Sequence, residues 1–213
     1  MLQSAWAPNG WYYGQSTAPA NGWRTLIAVI FDQVTKRYQG REVLSQLDWR
    51  IAKGERWLIQ GPSGAGKTTL LRLLAGLEQP DTGHISGTES VRFSMCFQEN
   101  RLCSKLNSVM NVTMVCDPPD PQRARAALAE LLPDEALSQS AETLSGGMAR
   151  RVALVRALLA PSDIVVLDEP FSGLDAANRG KALAFLEKWL GGRSLVLVSH
   201  EISEFQGAKL LQL

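Results

Sequence analysis

The chain has few residues suited to disulfides or metal clusters. Its 213 residues include 3 cysteines and 2 histidines, and Cys96, Cys103 and Cys116 form no CxxC pair. An odd set of cysteines at these spacings argues against both a disulfide framework and a zinc site. We therefore expect reduced thiols, as in an intracellular protein.

Long apolar runs and an excess of either charge are also missing. No run approaches the ~18 residues that a membrane-spanning helix needs. The N-terminus has neither the basic start nor the apolar block of a signal peptide. Lys and Arg (22) nearly balance Asp and Glu (21), for a formal charge of +1, which gives no electrostatic footprint for nucleic acid. These features predict a soluble protein with no nucleic-acid partner.

What the chain does contain is enough apolar sequence for one domain. It is 45% hydrophobic and 20% charged, which excludes wholesale disorder. Residues 1–24 differ, because five Trp and Tyr residues lie there among small and turn-forming residues, with no charge before Arg24. We expect a disordered extension at 1–24, or a start codon assigned too early, and a domain spanning 25–213.

From residue 25 onward, strand-like and helix-like runs alternate. Strands are predicted at 26–35, 43–51, 56–60, 91–97, 163–167, 194–199 and 208–213, and helices at 67–75, 148–159 and 177–190. Such alternation is typical of an α/β fold around a mainly parallel central sheet. The first two strands suggest an antiparallel β flank, and the polar-broken segment at about 98–150 suggests a small helical subdomain.

A glycine-rich motif joins the third strand to the first helix. Its residues are Gly61, Pro62, Ser63, Gly64, Ala65, Gly66, Lys67, Thr68 and Thr69, which match G-x-x-x-x-G-K-[ST]. The glycines let backbone N–H groups converge on phosphate oxygens, and the helix adds its positive N-terminal end. Lys67 then suits the β- and γ-phosphates, and the Thr68 hydroxyl suits Mg²⁺. The alternative, a glycine-rich turn with an exposed lysine, requires strand, turn and helix to coincide by chance.

Two acids follow the buried strand at 163–167. In open α/β sheets ligands bind at the carboxyl ends of strands, so Asp168 and Glu169 should lie beside the glycine-rich loop. Asp168 is predicted to hold Mg²⁺, and Glu169 to polarise an attacking water. An acidic pair at a strand end is, by itself, more often a turn or a helix cap.

A second glycine motif, Leu144-Ser145-Gly146-Gly147-Met148, distinguishes among P-loop proteins. Together with Gln98, the run ending at Asp175 and Ser199-His200, it makes the chain from about residue 25 onward resemble the ATP-binding subunit of ABC transporters, an α/β P-loop NTPase. The resemblance implies that Ser145, Gly146 and Gly147 contact the γ-phosphate of an ATP held by an opposing subunit, so that two subunits enclose two ATPs.

The resemblance also implies roles for four further residues. Gln98 would contact Mg²⁺ and the attacking water, and His200 would contact the γ-phosphate and help to hold Glu169. Asp175 would lie on the dimer contact. Tyr38 would stack on adenine, although taken alone it is equally well a strand aromatic in the core.

Three further features of the sequence are interpreted as follows. Met148 stands where glutamine is commonest in the signature, although this variant and the run at 97–102 resemble the importer branch for nitrate, sulfonate and taurine-type substrates. Arg150, Arg151 and Arg156 are interpreted as a solvated helix face with some interdomain pairing, rather than a phosphate-binding stripe. His84 is interpreted as a surface residue that precedes a strand.

The resulting hypothesis is a Mg²⁺-dependent ATPase that dimerises around two ATPs and powers a separate transmembrane permease, most simply an importer. Catalysis is assigned to Lys67, Gln98, Glu169 and His200. Expected partners are a second copy, the permease and a substrate-binding protein, with the chain at the cytoplasmic face of the membrane. The rivals are a non-transport ABC ATPase, and a nucleotide-dependent interaction module without turnover.

Overall fold

The computed structural model describes residues 27–199, 205 and 207–213. The predicted extension at 1–24 and His200 lie outside these residues. The strands are β1 (Ile27–Tyr38), β2 (Arg41–Ala52), β3 (Arg56–Gln60), β4 (Thr82–Ser86), β5 (Phe93–Cys96), β6 (Ile164–Asp168), β7 (Ser194–Val198) and β8 (Lys209–Gln212). The helices are α1 (Lys67–Leu74), α2 (Ser108–Thr113), α3 (Pro121–Ala129), α4 (Asp134–Ser138), α5 (Gly146–Leu159) and α6 (Ala176–Leu190).

The central sheet is parallel, as predicted, with strand order β5-β6-β7-β3-β8. All five residues of β6 are buried, and the strand is hydrogen-bonded to β5 on one side and β7 on the other. Its side chains alternate between two apolar clusters, since Ile164 and Val166 face one and Val165 and Leu167 face the other. This period of two places Asp168 at the carboxyl edge of a strand that is covered on both faces.

The predicted antiparallel flank is also present, as a second sheet with order β2-β1-β4. Strand β1 pairs with β2 along most of its length and ends at Tyr38 opposite Arg41. Strand β4 was not predicted, and His84, although exposed as expected, lies within that strand and not before it. The sequence at β4 is largely polar, so the strand is stabilised by its ladder with β1 rather than by an apolar pattern.

Short helices fill the chain between β5 and α5. Helices α2, α3 and α4 contact one another, and α2 and α3 also contact α5. Helix α5 begins at Gly146, two residues before the predicted start, because the Ser145 hydroxyl accepts a hydrogen bond from the Met148 N–H (3.3 Å) and caps the helix. In the part of the chain that the structure covers, no helix has the length and apolar character to cross a membrane.

Candidate functional site: a nucleotide cleft and an exposed second loop

The glycine-rich loop forms a tight turn between β3 and α1. Gly64 and Gly66 adopt left-handed backbone conformations with φ of +80° and +92°, which side chains rarely tolerate. A Cβ on Gly66 would lie 2.8 Å from Val43 Cγ1. The turn therefore requires glycine at position 66 for two reasons, its backbone conformation and the close approach of β2.

Two side chains at the start of α1 are held in place by this turn. Lys67 Nζ donates to the carbonyl oxygens of Gly61 (2.8 Å) and Pro62 (2.9 Å), which keeps the ammonium group over the loop. The Thr68 hydroxyl donates to Asp168 Oδ2 (3.1 Å) and so connects α1 to the end of β6. A cation and a hydroxyl–carboxylate pair thus lie beside a helix N-terminus, a combination suited to a metal-bound polyphosphate.

Two acids, Asp168 and Glu169, lie at the carboxyl end of β6. Asp168 is buried, and this burial raises the pKa of its carboxyl group, while the Thr68 hydrogen bond and the positive charges of Lys67 and Arg150 act in the opposite direction. Glu169 has a left-handed backbone (φ +47°), and its N–H donates to the Val198 carbonyl (3.1 Å). The peptide after β6 therefore turns sharply, and both acids reach the same cleft.

That cleft is open and has a volume of about 310 Å³. Its walls are Tyr38, Val43, Ser63, Gly64, Gly66, Lys67, Thr68, Thr69, Gln98, Asp168 and Glu169. Six of the nine predicted loop residues line it, whereas Gly61, Pro62 and Ala65 shape the turn from outside. Val43 was not predicted as a site residue, since a valine in a β-strand carries no sign of its proximity to a ligand.

Tyr38 lies at the edge of this cleft and not in the core. Its side chain is 41% exposed, so the interpretation of Tyr38 as a buried strand aromatic is wrong. The hydroxyl donates to Glu78, which also contacts Arg72 (3.3 Å). Lys36 Nζ lies 5.5 Å from the ring centre. The ring is thus held from one side and has an exposed surface on which a base can stack.

The second glycine motif lies outside the cleft. Ser145 and Gly146 are exposed, Gly147 is half-buried, and none of them is among the residues that line the nucleotide cleft. Met148 is half-buried and packs against the apolar core. Asp175 is exposed too: its carboxylate accepts the Asn178 N–H (2.8 Å) at the start of α6, and this bond is the main cause of its lowered pKa. Both features face solvent in one protomer.

The three arginines of α5 differ from the prediction of a solvated helix face. Arg151 is only 9% exposed, and it donates to the Leu131 carbonyl and to Asn178 Oδ1 (2.8 Å). Arg150 and Arg156 donate to main-chain carbonyls in the loop that carries Gln98. The guanidinium groups therefore bind main-chain carbonyls instead of lying free in water, and the bond from Arg151 to the Leu131 carbonyl is buried.

A parallel sheet, a glycine-rich loop ahead of α1 and two acids at the end of a buried strand define a P-loop nucleoside triphosphatase. Comparison with known proteins identifies the family. Residues 44–172 match the family model for ABC transporter. The aliphatic sulfonates import ATP-binding protein SsuB 1 of Rhodococcus jostii is 42% identical, over 84% of this chain and 75% of that protein. The protein of the same name from Agrobacterium fabrum is 39% identical, over 87% of this chain and 69% of that protein.

Solved structures agree with this assignment. The dimeric ATP-binding cassette MJ0796, in a post-hydrolysis state bound to ADP and phosphate, has a TM-score of 0.77 at 26% identity, covering 87% of this chain and 94% of that one. A bacterial Atm1-family ABC exporter with ATP bound also has a TM-score of 0.77, at 25% identity, covering 92% of this chain and 39% of that one. The chain belongs to the ABC transporter family: it is an ATP-binding subunit and an ATPase.

Proposed function

We propose that the chain is the ATPase of an importer, in which two copies enclose two ATPs and drive a separate transmembrane permease. The observation that carries this proposal is the position of the two phosphate-binding helix starts. The start of α1 lies in the cleft with Lys67 and the two acids, whereas the start of α5 is exposed and lies outside that cleft. One protomer thus offers two half-sites that a facing copy can complete.

In this proposal, the residues of the cleft divide the work between binding and water activation. The amides of the glycine-rich loop and Lys67 bind the phosphates of ATP, and Tyr38 stacks on its base. Oxygen donors from Thr68, Asp168 and Gln98 suit Mg²⁺, which when bound neutralises phosphate charge. The Thr68 hydroxyl and Asp168 carboxylate are already 3.1 Å apart and face the same cleft, so the donor set fits this ion.

Glu169 is the proposed base that orients the attacking water, with His200 assisting it. Its position at the end of β6, beside the cleft, brings a carboxylate to the open side of the phosphate loop. The Ser145 to Gly147 loop of the facing copy would then stabilise the γ-phosphate through main-chain N–H groups. Asp175, exposed at the start of α6, is proposed to lie at the contact between the copies.

The permease is proposed to bind the helical part of the chain, near residues 98–112. Met110 on α2 and Met114 directly after it are 51% and 56% exposed, and large exposed apolar side chains close together are a feature of partner surfaces. An open groove of about 260 Å³ lies beside them, lined in part by Pro121 and Arg125. Such a contact would keep the chain at the cytoplasmic face of the membrane. A substrate-binding protein is a further proposed partner.

An aliphatic sulfonate or a related oxyanion is the proposed cargo class, because the similar curated proteins carry that name. The chain itself does not select cargo. Co-purification with its permease, followed by ATP-driven uptake of an aliphatic sulfonate into proteoliposomes, tests this part. Uptake of none of these anions would leave the ATPase assignment intact and would contradict the cargo. Failure to associate with any permease would favour a non-transport ATPase.

The catalytic part is tested with Glu169→Gln. We expect kcat to fall by about 100-fold or more, because the water loses its base, while an ATP-bound dimer accumulates in light-scattering measurements. Glu187→Gln is the matched control, since that carboxylate forms an ion pair with Arg56 (2.8 Å) at the surface and is not among the residues that line the nucleotide cleft. Unchanged turnover in Glu169→Gln would refute the base. Wild-type chain that binds ATP without turnover, with and without permease, would favour the interaction module.

A further inference from the structure

Two arginines of α5 are bonded to one loop, the segment 97–101 that follows β5 and carries Gln98. Arg150 Nη1 donates to the Phe97 carbonyl (2.9 Å), and its Nη2 donates to the Gln98 carbonyl. Arg156 donates to the Asn100 (2.9 Å) and Arg101 (2.8 Å) carbonyls. Four of the five carbonyls in the segment are therefore bound by one helix.

This arrangement holds the backbone of Gln98 on the side away from the nucleotide cleft. Its side chain lines the nucleotide cleft together with Asp168 and Glu169, while its carbonyl is bound by Arg150. A guanidinium group is planar and carries its donors in a rigid fork, so two bonds to consecutive carbonyls define an orientation as well as a distance. Lysine, with a single ammonium group on a flexible chain, cannot reproduce that fork.

The same helix begins at the exposed glycine motif. Ser145 caps α5, and Arg150 follows five residues later, which is about one and a half helical turns. A helix of this length moves as a rigid body, so any displacement of its N-terminus is shared by Arg150. The segment 97–101 is thus mechanically joined to the Ser145–Gly147 loop within one chain.

We propose that Arg150 is a positioning residue for Gln98, and that it makes the segment 97–101 move with the start of α5. This inference rests on the proposed function, in which Ser145 to Gly147 contact the nucleotide of the facing copy. Closure on that nucleotide then sets the position of Gln98 in the chain's own cleft. The two ATP sites of a dimer become coupled through this contact, with Arg156 supporting the far end of the segment.

The first test measures the contact without any activity. Limited digestion of the full chain with trypsin should cleave after Arg101 about tenfold or more faster in Arg150→Lys than in the wild type, because the segment opens more often once the fork of bonds is lost. Arg193→Lys is the matched control, because Arg193 also donates to several carbonyls, at Leu158, Ala160, Trp189 and Leu190. It should leave cleavage after Arg101 unchanged. Unchanged cleavage after Arg101 in Arg150→Lys would overturn the proposal.

The second test asks whether the effect on turnover passes through Gln98. Arg150→Lys should lower kcat by about tenfold, because small displacements of a catalytic group are costly, with the KM for ATP within twofold of wild type. In a Gln98→Ala background the same substitution should cause no further loss of kcat. An equal loss in both backgrounds would overturn positioning through Gln98. If Gln98→Ala alone leaves kcat unchanged, the proposed role of Gln98 fails, and the digestion measurement still decides whether Arg150 holds the segment.

Discussion

Helices α1 and α5 both begin at a glycine motif, yet the two starts are built differently. Gly66 precedes α1 in a left-handed conformation and provides no side-chain cap, whereas Ser145 caps α5 with its hydroxyl. The start of α1 is surrounded by a lysine, a threonine and two carboxylates of the cleft. At the start of α5, apart from the chain neighbours of Gly146 and the helix's own nearby backbone, no heavy atom of the described residues lies within 4 Å of where its Cβ would stand.

The difference shows how one physical principle can serve two tasks. Each helix start presents N–H groups and a positive dipole end to an anion. Only α1 has the charged and acid–base groups needed to bind and cleave a triphosphate, and its backbone is closely packed. The start of α5 offers amides and open space, which suits contact with a ligand that another molecule holds.

The largest expected effect comes from placing a negative charge at the open start. Gly146→Asp should lower kcat by about 100-fold and abolish ATP-driven dimerisation, because a carboxylate there repels the γ-phosphate of the facing copy. ATP affinity of the monomer should change less than twofold, since the nucleotide cleft is untouched. Stability should not fall, because an acid in the first turn favours a helix. ATPase assays, light scattering and nucleotide titration check these points, and retained dimerisation would contradict the comparison.

A matched pair of alanine substitutions compares the packing of the two starts. Gly66→Ala should lower the free energy of unfolding by about 2 kcal/mol, because φ is +92° and the new Cβ meets Val43 Cγ1 at 2.8 Å. Gly146→Ala should instead raise it by about 0.5 kcal/mol, as glycine in a helix is replaced without a clash. Urea unfolding measures both. Similar losses in the two variants would show that the α5 start is as tightly packed as that of α1.

An effect smaller than the difference between the two alanine variants is expected at the buried carboxylate beside α1. Burial raises the pKa of Asp168, so its protonated form is favoured in the folded state and its ionised form opposes folding. Asp168→Asn should therefore raise the free energy of unfolding of the nucleotide-free chain by about 1 kcal/mol at pH 7. Relative to this variant, the wild type should lose stability as the pH rises from about 4 through the raised pKa.

The control substitution is Asp32→Asn, at an exposed position on β1. The measurement is the melting temperature of each variant between pH 4 and 8. A wild-type chain that gains stability over this range relative to Asp168→Asn would reverse the sign of the inferred shift. It would mean that Thr68, Lys67 and Arg150 outweigh the burial of the carboxylate.

Local sequence was informative wherever one short segment contains both the pattern and its cause. Strand β3, the glycine loop and α1 are contiguous, so their order alone predicted the phosphate site. The buried strand predicted at 163–167, followed directly by two acids, likewise predicted that Asp168 and Glu169 lie at its carboxyl end. The start of α5 was predicted at Met148, the first residue of its apolar stripe, and the two glycines before it are poor helix formers. The Ser145 cap and the packing of α5 override that preference.

Features that depend on distant partners were harder to predict. Strand β4 is exposed and polar, and it forms because β1 offers it a ladder. The α5 arginines find their acceptors about 50 residues away in sequence, and no spacing rule indicates a backbone carbonyl as a partner. The sequence alone did not decide whether the Tyr38 side chain lies in the core or at the cleft, because that depends on where β1 ends. The roles assigned to the site residues remain predictions.

Strand β6 is buried along its whole length and bonded to a neighbour on each side. We therefore expect the backbone at Asp168, and at Glu169 bonded to the Val198 carbonyl, to move little when other parts of the chain rearrange. Loops and helices would then move relative to these two carboxylates. The timing of hydrolysis would depend on the loops and helices that approach the carboxylates. Drugs or mutations that regulate this ATPase are best sought in those loops and helices.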